Sequence, residues 1–398
     1  MNPSQAIDLH HLALREVARY EKKRFRFDEL DQARGKHFVG ILGPRGAGKT
    51  VLLKQLASTR EDALYVSLDT ADADTDVFEL LRRLAEEYRY RTFFLDEVHY
   101  CQGIEGTLKK LHDFLDVHVF FTSSMALSIH QSAHDLSRRV RLVTLLPFSY
   151  REYLAVRHDE SVPQLQLGQI RDKRWDGAHL RAAARFEDYL QGGLMPFSMD
   201  EPDVLVLLEN ILETIIARDI PKVARLHMEE LEALRKLMRF VGRSGVDGIN
   251  YSSLSRNLGI SKYKAEQYVG LLETAFVLQR VFPAGTNVLR EPKILLSLPY
   301  RLLYRDFEDA IGGLREDFFA ETMRQAAIPF SYLKSTRGKK TPDYLVELDG
   351  EKLVIEVGGR GKGREQFKGI TVDQKLILAH GDRADGFYRP LLLLGYLA

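Results

Sequence analysis

The sequence predicts an α/β chain: a parallel sheet flanked by helices, then a helical stretch, a helix-turn-helix module and a small α/β tail. Three observations predict it. A glycine-rich run, Gly43-Pro44-Arg45-Gly46-Ala47-Gly48-Lys49-Thr50, joins the strand-like "HFVGIL" to the amphipathic "TVLLKQLA". The apolar segments "RTFFLDEVHY" and "VHVFFTSSMAL" each end in polar residues and alternate with helical patterns through residue 146, as a doubly covered sheet requires. In the tail, Asp349-Gly350 separates two alternating segments, a two-residue hairpin signal. The expected divisions are an N-terminal helical segment (1–34), the sheet-bearing core (35–150), a helical lid (151–230), a winged helix (231–290) and the small α/β domain (291–398).

At about 100–200 residues per domain, 398 residues hold two to four modules. The net charge is only +1, so any nucleic-acid contact must come from local patches. Cys101 is the single cysteine, which excludes an intramolecular disulfide. The opening "MNPSQAIDLHHLALREVARY" lacks the basic flank and apolar core of a secretory signal, and no run approaches 18 apolar residues. The expectation is a cytoplasmic chain with no membrane partner.

The glycine-rich run fits the P-loop pattern without gaps, and the segment from Gly43 through Val51 is the expected ATP cradle. Glycines let backbone N–H groups close on phosphates, and the following helix adds the partial positive charge of its N-terminus. Lys49 is expected to reach the β- and γ-phosphates, and the Thr50 hydroxyl to ligate Mg²⁺. An acid ending a buried strand needs a compensating cation. Asp96 would therefore hold the metal while Glu97 orients and activates water. A helix-capping carboxylate is the plainer alternative. After the third strand, Thr122-Ser123-Ser124 reads either as a γ-phosphate sensor or as a helix N-cap.

These motifs resemble one group of AAA+ ATPases. The P-loop "GPRGAGKTVLLKQL", "YVSLD", "FFLDEVH", "TSSMAL" and "DLSRRVRLVTLLPFSYREYL" carry the resemblance, with "YLQGGLMP" and "ARDIPKV" continuing it. Members of that group carry a winged helix and a C-terminal domain similar to restriction-endonuclease-like nucleases. The resemblance implies a sensor at Ser124, with Ser123 the neighbouring choice, because the family shows Thr-Gly-Ser-Ser where this chain has Thr122-Ser123-Ser124-Met125. It also implies that Arg138 or Arg139 acts as an arginine finger on a neighbouring subunit, hence a homo-oligomer, with a hexameric ring as one form.

In "INYSSLSRNLGISKYKAEQYVGLLETAFVLQRVFPAG", Leu254 and Leu258 lie on a first helix and Gly259-Ile260 form the turn. Ser261 caps a second helix whose apolar face is Ala265, Tyr268, Val269 and Leu272. Its other side carries Lys262, Tyr263, Lys264 and Gln267, types suited to DNA contact, although such modules also dock proteins. "FVLQRVFPAG" reads as the wing.

With Asp349-Gly350 as the turn, Val346 faces Leu353 and Asp343 faces Glu356, their Cβ atoms about 4.5–5.5 Å apart. Two carboxylates so placed repel unless a cation lies between them. Pro342-Asp343 followed by Glu356 is similar to the PD-(D/E)xK nuclease core, and an upstream helix offers Glu316 and Glu321 as a further acid. The expected lysine is replaced by Gly358, and neither Lys362 nor Lys368 has the required spacing. An inactive nuclease-like fold, a structural carboxylate pair and an active metal nuclease using Asp343 and Glu356 as ligands all remain open here. Nearby Arg337, Lys339, Lys340, Arg360, Lys362, Arg364 and Lys368 make a patch suited to phosphates or a solvated loop.

The leading expectation is a Mg²⁺-dependent ATPase that uses hydrolysis to bind or remodel DNA, branched or recombining DNA included. A nucleotide-controlled signalling switch with protein-docking modules and an ATP-dependent nuclease are the alternatives.

Overall fold

The computed structural model describes residues 1–72, 75–125, 136, 138–245, 248–285, 291–333, 341–359, 367, 372 and 374–398. The chain divides into two compact units, Met1–Pro147 and Phe148–Ala398.

In the first unit, β1 (Phe38–Leu42), β2 (Ala63–Ser67), β3 (Thr92–Asp96), β4 (His118–Ser123) and β5 (Val140–Thr144) form a wholly parallel sheet in the order β2-β3-β4-β1-β5. Every residue of β1 and β3 is buried, which explains why both read as unbroken apolar runs rather than as alternation. Helices α1 (Pro3–Val17), α2 (Phe27–Asp31), α3 (Lys49–Ala57), α4 (Val77–Glu87) and α5 (Ile104–Phe114) surround the sheet. In α4 the buried residues Val77, Leu80, Leu81 and Leu84 repeat at i, i+3, i+4, i+7, and Asp76 caps the first turn by accepting from Glu79 N–H. Leu52, Leu53 and Leu56 of α3 join Val39, Ile41, Phe94 and Phe120 in one core, where the last two rings stack at 4.8 Å.

The order of strands matters for the site. After β1 the chain crosses through α3 to β2 at the sheet's far edge, and β4 later inserts between β1 and β3. The carboxyl ends of β1, β4 and β3 therefore stand side by side where the connection changes direction, the place such sheets bind ligands.

The longer helices of the second unit include α6 (Tyr150–His158), α7 (Val204–Thr214), α8 (Met228–Arg243), α9 (Tyr251–Leu258), α10 (Lys262–Thr274) and α11 (Phe307–Gln325). β6 (Leu278–Val281) and β7 (Lys293–Leu296) make an antiparallel pair. β8 (Phe330–Tyr332), β9 (Tyr344–Leu348), β10 (Glu351–Gly358), β11 (Gln374–Ala379) and β12 (Tyr388–Pro390) form a mixed sheet ordered β12-β11-β10-β9-β8. Asp349 and Gly350 both take positive φ, 54° and 80°, as a type I′ turn demands, and the register Leu348↔Glu351 through Tyr344↔Ile355 is the one the turn predicted.

Two boundaries differ from the sequence reading. The stretch 151–230, expected as a lid, falls in the second unit. Tyr150, Tyr153 and Tyr189 share a core with Phe318 of α11, Leu353 of β10 and the C-terminal Leu391–Tyr396 turn, and a Cβ on Gly395 would meet Tyr150 Cβ at 2.4 Å. An amphipathic helix advertises an apolar face but not the sheet it covers. The expected wing supplies only β6 before 290; its partner β7 lies at 293–296, beyond the expected boundary, because the connection is too long for a tight-turn signal.

Candidate nucleotide-binding site

The glycine run forms a loop between β1 and α3. Gly46 and Gly48 have φ of 80° and 81°, and Gly48 stands as the N-cap of α3. Gly43 is required for another reason: a Cβ there would lie 2.0 Å from the Leu145 carbonyl oxygen. Lys49 is buried at the first position of α3, and its Nζ donates to the Gly43 and Pro44 carbonyls at 2.9 Å each. Arg24 ties the loop down from outside, donating to the carbonyls of Ala47 and Leu146.

Across the loop stands the acidic pair. Asp96 is buried at the end of β3, where Tyr65 donates to its Oδ2 at 2.8 Å and Thr122 donates to its Oδ1. The Glu97 N–H donates in turn to Thr122 Oγ1 at 2.9 Å. Glu97 takes the left-handed conformation, φ 51° and ψ 49°, which turns its side chain off the strand direction. Burial opposes its charge, but Lys49, His99 and Arg45 outweigh burial and hold the carboxyl down at about 2. Glu97 is therefore ionised throughout the working pH range. Burial and the Asp96 charge together push the Tyr65 hydroxyl far up, so it stays a donor.

Arg45, Thr50, Tyr65, Ser67, Asp96 and Glu97 line one cavity of about 450 Å³. The other wall of the cavity is apolar, with Leu9, Leu12 and Ala13 of α1. A hydroxyl and two carboxylates on its polar side, next to the loop that holds the Lys49 ammonium at a helix N-terminus, are a donor set that fits a triphosphate with its magnesium ion. The three hydroxyl-bearing residues ending β4 are distinguished by their partners. Thr122 serves Asp96; Ser123 Oγ turns back to the Met125 carbonyl at 2.8 Å; Ser124 Oγ lies 3.5 Å from His99 Nε2.

Arg138 and Arg139 are not part of this constellation. The Arg139 carbonyl accepts from Phe38 N–H at the start of β1, the opposite end of the sheet from the P-loop. Its guanidinium grips Asp113 through two bonds of 2.8 and 2.7 Å, whereas Arg138 is exposed.

Residues 35–154 match a family model described as an AAA domain. That match spans the P-loop, Asp96, Glu97 and Ser124. Residues 183–297 match a domain of unknown function, DUF8612. Over the whole chain, an uncharacterized protein of Methanocaldococcus jannaschii, MJ1637, is 29% identical across 91% of this chain and 86% of its own length. Similar solved structures include ORC1 of Aeropyrum pernix in complex with DNA, at 13% identity, TM-score 0.30, covering 78% of this chain and 94% of that one. DnaA of Aquifex aeolicus bound to AMPPCP gives 13% identity and TM-score 0.26, covering 62% and 84%. NtrX of Brucella abortus with ATP gives 14% and 0.23, covering 66% and 68%. Superpositions this loose add nothing to the fold described above.

In the second unit, the expected apolar face of α10 is buried at all four positions, and Ser261 Oγ accepts from Lys264 N–H at 3.2 Å. The two lysines expected on DNA are each engaged within the chain: Lys262 with Glu291, and Lys264 with Glu230 at 3.1 Å. In the tail, the β9–β10 ladder ends at Tyr344↔Ile355, one pair short of the expected Asp343 and Glu356; Asp343 Oδ2 accepts from Val357 N–H at 2.8 Å, while Glu356 is fully buried on β10. Of the two helical acids, Glu321 instead meets Gln279 at 2.8 Å. Glu316 turns to the Tyr344 hydroxyl at 2.6 Å and forms an ion pair with Lys293 of β7. Among the described residues no three His, Cys, Asp or Glu side chains are grouped as a metal site. Arg337, Lys339, Lys340, Arg360, Lys362, Arg364 and Lys368 lie outside the described residues. No helix among the described residues is long and apolar enough to cross a membrane.

Sequence reasoning missed Tyr65, His99, Arg24 and Lys293. The "DEVH" run put His99 in view, but nothing in the spacing says that a histidine three residues after Asp96 turns back toward β4.

Proposed function

We propose that this chain is a Mg²⁺-dependent ATPase whose hydrolysis is coupled to work on DNA. The observation that carries the ATPase reading is that Thr50, Asp96 and Glu97 line one cavity beside the glycine loop whose carbonyls hold the Lys49 ammonium. Lys49 leaves its two carbonyl partners for phosphate oxygens, which offer the ammonium far more charge. Thr50 and Asp96 would hold Mg²⁺, and Tyr65 and Thr122 keep the Asp96 carboxylate oriented toward it. When bound, magnesium supplies neutralisation of the β- and γ-phosphate charge. Glu97, ionised and turned from the strand end, accepts a hydrogen bond from the attacking water and fixes its direction. Lys49, His99 and Arg45 keep the carboxylate ionised, ready to orient and activate that water. The exposed Arg138 is the better finger of the pair, since Arg139 is occupied by Asp113.

DNA as the partner is supported by the helix-turn-helix geometry of α9 and α10 and by the basic sequence of the tail. The ion pairs of Lys262 and Lys264 favour the second reading, a nucleotide-controlled switch whose α10 face docks protein. The deciding measurement is ATP turnover by the full chain alone and with duplex, single-stranded and four-way DNA. DNA-stimulated turnover is the expected result. Turnover indifferent to all three, with no DNA retention at low salt, selects the switch; no turnover at all removes the ATPase.

A further inference from the structure

We propose that His99 is a positioning residue that ties the water-orienting Glu97 to the hydroxyl of Ser124, so that a γ-phosphate arriving at Ser124 resets the glutamate. The inference rests on the ATPase reading and extends it to a residue outside the cradle and the metal ligands.

The geometry is specific. The left-handed turn at Glu97 begins a single 3-10 turn, Val98–Tyr100, which carries the imidazole back between the ends of β3 and β4. The His99 side chain has no exposed surface. Its Nδ1 lies 3.2 Å from Glu97 Oε2, and its Nε2 lies 3.5 Å from Ser124 Oγ. Tyr100 stacks obliquely on the ring at 4.5 Å, and the Tyr100 hydroxyl in turn accepts from Arg45 of the P-loop at 2.8 Å. An imidazole carries polar nitrogens on opposite edges, and in its neutral form one donates while the other accepts. The Nδ1 contact with Glu97 is an ion-pair distance rather than an aligned hydrogen bond; with the proton on Nδ1 a small rotation of the ring makes it donate to the carboxylate and leaves Nε2 to accept from the serine.

Ser124 is the switchable member. The Ser123 hydroxyl is turned to Met125 and the Thr122 hydroxyl to Asp96, so neither faces His99. The single proton of the Ser124 hydroxyl can go to His99 Nε2 or to a phosphate oxygen, and an anionic oxygen is the stronger acceptor. When the proton leaves His99, the ring loses its contact at Nε2 but keeps the one at Nδ1, so it turns together with Glu97 and aims the carboxylate at the water. Nucleotide occupancy is thereby reported across two strand ends through one side chain.

The test exploits the two edges of the ring. The amide nitrogen of asparagine can stand where Nδ1 stands, and that of glutamine where Nε2 stands. His99→Ala is expected to lower kcat about 10²-fold while KM for ATP and the Kd of a non-hydrolysable analogue stay within about threefold, because orientation and not binding is lost. His99→Asn should recover most of the rate and His99→Gln little, and adding His99→Ala to Ser124→Ala should cost much less than the two losses multiplied. A wild-type kcat in His99→Ala, or asparagine no better than alanine, overturns the proposal. A readout independent of turnover is the ¹⁵N spectrum of the histidines, with His99 assigned by difference from His99→Asn. An Nδ1–H tautomer whose Nε2 resonance moves on adding Mg²⁺ and the analogue supports the link; a resonance that stays fixed at saturation overturns it. A wild-type protein that binds no nucleotide would instead remove the ATPase reading beneath it.

Discussion

Two groups of strand-associated carboxylates, one in each unit, solve the same electrostatic problem in opposite ways. Asp96 and Glu97 end β3 beside a cavity, with hydroxyls on Asp96 and the Lys49 ammonium close enough to keep Glu97 ionised. Asp343, Glu356 and Glu316 stand around β9 and β10 with a lysine from a different element, Lys293, paired to Glu316. Burial pushes the Glu316 carboxyl up, with Lys293 working against it and Asp343 reinforcing it. The first group leaves room for a cation that comes with a ligand. The second has taken its cation from its own chain. The two groups thus differ in whether their carboxylates face a cavity that a ligand's cation can enter, or a lysine buried with them.

The largest effects should break the first group. Glu97→Gln keeps the shape of the side chain and the metal site but removes the charge; nucleotide affinity should hold while turnover falls by about 10²–10⁴-fold. Lys49→Ala should fail earlier, at binding, as isothermal titration would show. If Glu97→Gln turned over at the wild-type rate, the two acidic groups would be equally silent and the contrast would vanish.

Next in size is the arginine proposed to act on the first group from a neighbouring subunit. Arg138→Ala is expected to lower turnover by about 10³-fold, and mixing it with Glu97→Gln protein should restore part of the rate, since each variant retains what the other lacks. Arg139→Ala loses a surface ion pair with Asp113 and should show as a small shift in a thermal melt rather than in turnover. The reverse result would move the finger to Arg139.

The second group should answer in stability. Lys293→Met leaves Glu316 without its ion-pair partner in a buried setting and is expected to cost about 3–5 kcal/mol by denaturant unfolding of the full chain. Lys293→Met with Glu316→Leu should recover most of that, because an apolar pair needs no compensation. Restored stability without any gain of metal-dependent DNA nicking would mark the second group as structural.

Much of this contrast was legible from the residues. The P-loop, the strand ending in Asp96-Glu97 and the I′ turn at Asp349-Gly350 are local patterns, in which spacing along the chain fixes spacing in the fold. The face of α10 was legible for the same reason. What stayed hidden was non-local. Tyr65 reaches Asp96 across adjacent strands, Lys293 reaches Glu316 from a hairpin interrupted by a long connection, and Tyr150 finds the C-terminal turn some 245 residues away along the chain by packing alone. No periodicity records such pairings, because a buried side chain is selected by its neighbours in space.

The smallest expected effect separates the fold's response to acid from that of the site. His118, at the start of β4, is packed edge-on against Phe38 and Phe120; burial, with the charges of Arg60 and Arg34 adding to it, lowers its imidazole to about 4. The same holds for His10 on α1, lowered to about 4 by burial and by His11, with its Nδ1 accepting from Tyr65 N–H. Between pH 6.5 and 4 the unfolded chain binds protons at these positions and the folded chain does not. Stability is therefore full above 6.5 and falls as pH drops through that window. Glu97, at about 2, keeps its charge over the same interval, and its contribution is lost only below the ordinary carboxylate range. Turnover lost on acidification from pH 6.5 to 4 should thus follow unfolding of the first unit. His118→Gln, which cannot take up the proton, should flatten the decline of both melting temperature and rate in that window. A rate that still falls while the melting temperature holds would place the titrating group in the nucleotide site and end the separation between the two.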